Sequence, residues 1–300
     1  MRFTYNSIKF VLLTLLVASI SMTAIAQKQR SKNDLIKEMA ALMKANTPAD
    51  LAKSYEIGKE YIARFGTEKD ENTAKVKKFV EEYRLDAFYK AVDAKKAADA
   101  FSFGKDIIAD QPENVSVLMN LGYAGFNAIA AGDKSYSSLI VTYSDKATEL
   151  ISAGKAPQSF APFATKDEAL AWLAYFSASA LQGTDMKTAA SYMWKTTKYD
   201  SSIRKSIEPY YFVAAYYEQV YSKLSKDNAE KARVDGAIDL MLDAYARAFK
   251  IAEDTKDPKL AEVKTRFEQV YKFRKGTDKL MPQFIDIAVS SPFADPAAFN

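Results

Sequence analysis

The run ADQPENVSVLMNLGYAGFNAIAAGD, residues 109–133, decides how this chain is read. Pro112-Glu113-Asn114 is punctuation: a helix ends before it and another opens after it. Val117, Leu118, Leu121, Ala124 and Ala128 then recur at three and four, which is helical spacing. Gly122 sits inside that helix, where it is worse than Ala by roughly 1 kcal/mol. A glycine kept at that cost marks a place where another element comes close.

Working outward, most windows repeat the helical spacing. Ten glycines and nine prolines in 300 residues are too few for an all-β chain. Thr47-Pro48 opens a helix as cap and first-turn proline, and Gly66 closes it. Further helices are predicted over 70–92, 93–110, 115–131, 135–153, 167–183, 185–199, 208–225, 228–254 and 258–275. SLIVTY (138–143) has the β-branched content of a strand, but its flanks keep helical spacing and it is assigned to a helix. The linkers read as short, which makes consecutive helices neighbours.

One repeat is visible. SYEIGKEYIARFG (54–66) aligns without gaps to AFSFGKDIIADQP (100–112), with Gly, Lys, Ile and Ala coinciding. A period of that length implies helix pairs that cannot bury their apolar faces singly.

Residues 109–133 resemble a tetratricopeptide repeat (TPR), a family of helix–turn–helix units of about 34 residues. Pro112 stands where a repeat closes, Leu118 at the large apolar position and Leu121-Gly122 at the pair behind it. AWLAYFSASALQGTDMKTAASYMWKTTKYDSS (171–202) is similar, with Trp172 at the large position, Gln182-Gly183 at the turn and Ala189 at the close contact. Gly125 and Tyr175-Phe176 depart from the pattern. The resemblance implies an all-α fold of TPR-like hairpins stacked as a right-handed superhelix, an α-solenoid, over 47–275. A short helical or flexible segment would precede it at 27–46, with 27–34 mobile. A tail with a short helix would follow at 276–300, loose, folded back along the last helices, or lying in the groove.

The N-terminus, MRFTYNSIKFVLLTLLVASISMTAIAQ, has a basic start, an apolar run and Ala24-Ile25-Ala26. It reads as a signal peptide, cut before Gln27, and hence as an exported protein, periplasmic or secreted. An uncleaved anchor is the alternative. Net charge is +4, and Arg2 and Lys9 fall in the leader, which leaves +2 beyond it. No basic stripe suggests nucleic acid, and no membrane insertion is expected after cleavage.

The chain has no Cys and no His. That excludes disulfides, thiol nucleophiles, Ser-His-Asp triads and His-containing zinc sites. Nothing in the sequence calls for a metal or cofactor, and the expectation is a non-enzyme.

In the TPR family the first helix of each pair lines the binding groove. Carried over, Met119, Asn120, Tyr123 and Asn127 would contact a protein or peptide partner, with Ser116 and Phe126 at the border. The alternative is that the apolar ones are core. EPYYFVAAYYEQVY (208–221) places Tyr210, Tyr217 and Tyr221 on one face, where phenols can anchor a partner or stack on a sugar. A small-ligand or carbohydrate receptor is therefore the second reading. Asp235, Asp239 and Asp243 recur every four residues and should repel. They either meet basic side chains, Arg247 among them, or form a site for a carboxylate-dependent enzyme, the third reading.

Overall fold

The computed structural model describes residues 30–157 and 159–299. The predicted signal peptide lies outside the described residues. No helix among the described residues is long and apolar enough to cross a membrane. The fold is all-α, with no strand among the described residues, and it divides into two compact units meeting at Arg84 and Leu85.

In the first unit, α1 (Lys32–Ala45) opens with a capping box. Ser31 Oγ accepts from the Asp34 backbone at 3.2 Å, and Asp34 accepts from the Ser31 backbone at 3.0 Å. Residues 30–34 thus take part in helix capping and ion pairs. Arg30 also pairs with Glu38 at 2.7 Å and with Glu60, and Lys32 with Asp70 at 2.7 Å. The Thr47 cap and Pro48 open α2 (Pro48–Phe65) as anticipated. The first turns of α3 (Glu71–Asp93) complete the unit. A Cβ on Gly58 would lie 2.5 Å from Val80 of α3 and 3.3 Å from Met39 of α1, so three helices meet at that glycine.

The second unit takes the end of α3 and then α4 (Ala97–Asp110), α5 (Val115–Ala130), α6 (Ser137–Ser152), α7 (Lys166–Leu181) and α8 (Met186–Thr196). It continues with α9 (Glu208–Lys226), α10 (Lys231–Thr255), α11 (Leu260–Lys275) and α12 (Met281–Ser290), and ends in a 3-10 turn over Pro296–Ala298. From α4 to α11 each helix packs on the next, and α5 also packs on α7. SLIVTY lies within α6, where the Thr142 hydroxyl donates to the Ser138 carbonyl at 2.9 Å.

The glycines explain the spacing of these helices. Gly104, the repeat partner of Gly58, again sits among three helices: a Cβ there would meet Leu121 at 2.6 Å and Phe88 at 3.0 Å. At Gly122 it would meet Ser144 Oγ of α6 at 2.8 Å, and at Gly125 it would meet Ile140 Cγ1 of α6 at 2.3 Å. The close approach inferred from Gly122 is present, and Gly125, which departs from the TPR pattern, is the more tightly covered of the two.

One helix start differs clearly from expectation. The helix predicted over 93–110 starts at Ala97, because Lys95 adopts a left-handed φ of 55°. The linker before α7 covers 153–165, within a residue of the gap between the predicted helices, and carries Phe163 into the core at 9% exposure. The tail folds back: α12 packs on α10, and the 3-10 turn packs on α8.

Candidate functional site

On α5 the proposed groove residues are covered. Met119 has no exposed surface and belongs to the core, so it cannot line a groove. Asn120 is buried, and its Nδ2 donates to the Ser116 carbonyl at 2.9 Å and the Ala161 carbonyl of the long linker at 3.3 Å. The Tyr123 ring lies 6.4 Å from that of Phe163 and 6.2 Å from that of Phe176. Phe126 stacks on Phe176 at 4.9 Å. Asn127 is half-buried, and its Nδ2 has no hydrogen-bond partner among the described residues. The face that the TPR resemblance made a groove is thus closed by α7 and by the 153–165 linker. The predicted helices already leave residues 154–166 between them, but no local signal shows that this stretch folds over α5.

The α9 tyrosines are also covered, by a different kind of element. Residues 291–299, SPFADPAAF, cross α8, α9 and α10 and turn every third side chain inward: Phe293 and Pro296 are buried and Phe299 is half-buried. Tyr210, 7% exposed, packs on Phe293 with ring centres 5.3 Å apart. Tyr217, 1% exposed, meets Phe299 edge-on at 5.8 Å. The Phe299 ring also lies over Gly236 of α10, where an added Cβ would meet it at the contact distance of 3.4 Å. Tyr210 and Tyr217 are therefore not open to solvent. Tyr221, further along α9, is half-buried and packs against Phe273 at 5.9 Å.

The polar contacts hold this segment mainly by its backbone. Trp194 Nε1 donates to the Phe293 carbonyl at 2.7 Å, Arg247 Nη2 to the Ser291 carbonyl at 2.8 Å, and Lys187 Nζ to the Phe299 carbonyl at 3.2 Å. The one side-chain pair is Ser191 Oγ donating to Asp295 at 3.0 Å. Arg247 also lies over the Phe293 ring at 4.9 Å. It is fixed from behind by Asp243 at 3.0 Å, whose carboxyl is pushed above its ordinary value by burial, against the opposing Arg247 bond. Lys198 lies 4.0 Å over Trp194 and is held below the ordinary lysine value by burial and then by Arg247 and Arg204. Tyr217 ionises less readily than a free phenol because of burial, and its hydroxyl has no partner among the described residues.

The sequence reading missed Lys187, Ser191, Trp194 and Arg247 as parts of this site. The signal that could have exposed it was the three-residue spacing Phe293, Pro296, Phe299 in the tail.

The acidic ladder on α10 is neutralised by basic side chains. Arg274 of α11 takes Asp239 through two bonds of 2.7 Å and Asp235 at 3.3 Å. Lys231 adds 2.7 Å to Asp235. No group of three His, Cys, Asp or Glu able to hold a metal occurs among the described residues. Beside Tyr221 an open cleft of about 430 Å³ is lined by Glu218, Ser222, Arg266, Gln269 and Phe273, which is 64% exposed. Its charged groups are engaged with each other: Arg266 meets Glu218 at 2.6 Å, and Tyr245 donates to Glu218 at 2.7 Å.

Comparison with known protein families, with curated proteins and with solved structures gives no match.

Proposed function

We propose that this chain is an exported helical scaffold, its hairpins stacked as a TPR-like α-solenoid, that binds an extended segment of a protein or peptide partner without catalysis. The observation that carries the reading is the way α8, α9 and α10 hold residues 291–299. Three side chains donate to backbone carbonyls, the rings of Phe293 and Phe299 pack on Tyr210 and Tyr217, and Pro296 between them is buried. Backbone reading plus a few side-chain anchors is the common economy of peptide recognition. The packing of α5 on α7, one helix beyond its neighbour, supports stacked pairs.

The test uses a Phe293→Ala/Phe299→Ala chain, in which the anchors of the resident segment are gone. A synthetic peptide of residues 288–299 should bind that chain saturably and restore hydrogen-exchange protection to α8–α10. A folded variant that takes up no such peptide would end the reading.

A second reading, a receptor for a small polar ligand such as a sugar, is favoured by the Tyr221–Phe273 cleft. Its exposed ring stands beside hydrogen-bonding groups. Saturable sugar binding that Phe273→Ala abolishes would support it; sugar titrations without effect would remove it.

A further inference from the structure

We propose that residues 291–299 are an internal stand-in, and that the α8–α10 groove is built for an acidic, phenylalanine-anchored extended segment of another protein that displaces them. This rests on the peptide-binding reading above and adds the chemistry of the partner and a means of regulation.

Charge is the first argument. Lys187, Lys198 and Arg247 contact or flank the segment, and Arg204 lies near enough to act on Lys198 and on the buried Tyr210. The segment offers one carboxylate in return, Asp295, which is hydrogen-bonded to Ser191 and acts on Lys198 through its charge, while Asp185 acts on Lys187, so that Arg204 is the cation left over. Asp243 already faces Arg247 from within α10. The groove thus presents more positive charge than its occupant uses, and a segment with further carboxylates would gain from it.

Fit is the second argument. The Tyr217 hydroxyl is enclosed beside Phe299 with no acceptor. A buried hydroxyl left without a partner is unfavourable, so the resident segment is an imperfect ligand at its last anchor. The outward positions Ala294, Ala297 and Ala298 make the remaining surface of the segment small and neutral. A partner could carry carboxylates there without disturbing the inward Phe and Pro.

Regulation follows. Where a site is filled by its own chain, an incoming ligand binds more weakly in proportion to the fraction of time the site is open. Loosening the resident segment should strengthen binding with no new contact to the ligand.

The experiment measures fluorescence anisotropy with two labelled peptides: residues 288–299 as they stand, and the same peptide with Asp at the positions of Ala294 and Ala297. Both are titrated with the full chain, with Phe293→Ala/Phe299→Ala, and with the milder Asp295→Ala, which loses the Ser191 bond, the cap on the 3-10 turn and the charge acting on Lys198. The double variant should bind the acidic peptide about tenfold more tightly than the unaltered chain, as expected for a site closed about nine-tenths of the time. The acidic peptide should outbind the plain one several-fold at low salt. Lys198→Glu, an exposed change, should erase that preference. Asp295→Ala should fall between and serves if circular dichroism shows the double variant unfolded.

Equal affinity of both peptides for loosened and unaltered chains would overturn the stand-in role while leaving the peptide groove intact. No preference for the acidic peptide would overturn the partner chemistry. No binding by any folded variant would remove the groove itself. A dimer of the unaltered chain that free peptide dissolves would overturn the proposal in favour of a second copy as occupant.

Discussion

The two faces that the tyrosines and asparagines pointed to, α5 and α9, are both covered by non-helical chain, but the covers are built differently. Over α5 the 153–165 linker contributes Phe163 to an aromatic cluster with Tyr123 and Phe176. The protein side gives it one amide donor, Asn120 to Ala161. Over α9 the 291–299 segment is held by three donors to its carbonyls and by a side-chain bond, with cations around it. The first cover is packing and belongs to the core. The second also puts Phe293 into the core, and is held besides through its backbone carbonyls by polar side chains.

That contrast can be broken most directly at the aromatic cluster. Phe176 has no exposed surface, and Phe176→Ala should destabilise the second unit by about 3–5 kcal/mol. Phe293→Ala should instead release the segment, with a much smaller loss in chemical denaturation and faster hydrogen exchange confined to α8–α10. Equal losses from the two changes would make both covers the same kind of structure.

The glycines give the next effect. Gly125→Ala drives a methyl to 2.3 Å from Ile140 Cγ1, in the middle of a fully buried side chain, and should destabilise by about 1–3 kcal/mol. Gly122→Ala crowds the Ser144 hydroxyl, which can rotate away, meets Phe176 and Leu173 at the ordinary contact distances of 3.5 and 3.6 Å, and gains helix propensity of about 1 kcal/mol. It should be close to neutral in the same denaturation series.

Tyr217→Phe removes the enclosed hydroxyl that has no partner and should stabilise the chain by about 1 kcal/mol, read as a raised thermal midpoint. A lowered midpoint would mean that the hydroxyl is satisfied after all.

The smallest effect is that of mild acid. Burial raises the Asp243 carboxyl, so its charged form is unfavourable in the fold. That penalty is relieved as pH falls through the raised value toward the ordinary carboxylate range, and the thermal midpoint should rise slightly over that interval. Glu113, Asp185 and Asp235 are lowered by hydrogen bonds from Lys155, Thr188 and Lys231. Their stabilisation is present above the ordinary carboxylate range and is lost as pH falls below it, so the midpoint should drop below about pH 4. Asp243→Asn should flatten the early rise only.

Helices were legible because their signals are local. Thr47-Pro48, the three-and-four spacing and the turn at Gly183 each act within a few residues, and the structure places helices where they point. The glycine contacts were legible in kind, since a helical glycine asks for a neighbour, but not in partner: Ile140 opposite Gly125 is a tertiary fact. The α10 acids were read as meeting bases, and Arg247 was named; Arg274 lies 35 residues from Asp239 and could not be. The site was least legible. Lys187 reaches Phe299 across 112 residues, and no spacing rule connects them. The tyrosine face on α9 was visible, but what lies over it depends on where the chain returns.

The inward set of Phe293, Pro296 and Phe299 turns the groove into a ruler. Such a surface gauges separation more than composition: Ala294, Ala297 and Ala298 can be exchanged freely, whereas adding one residue between the rings would swing an anchor away from its slot. Ligands for this surface should therefore be sought by interval, two aromatic residues six positions apart with proline midway, before they are sought by overall similarity.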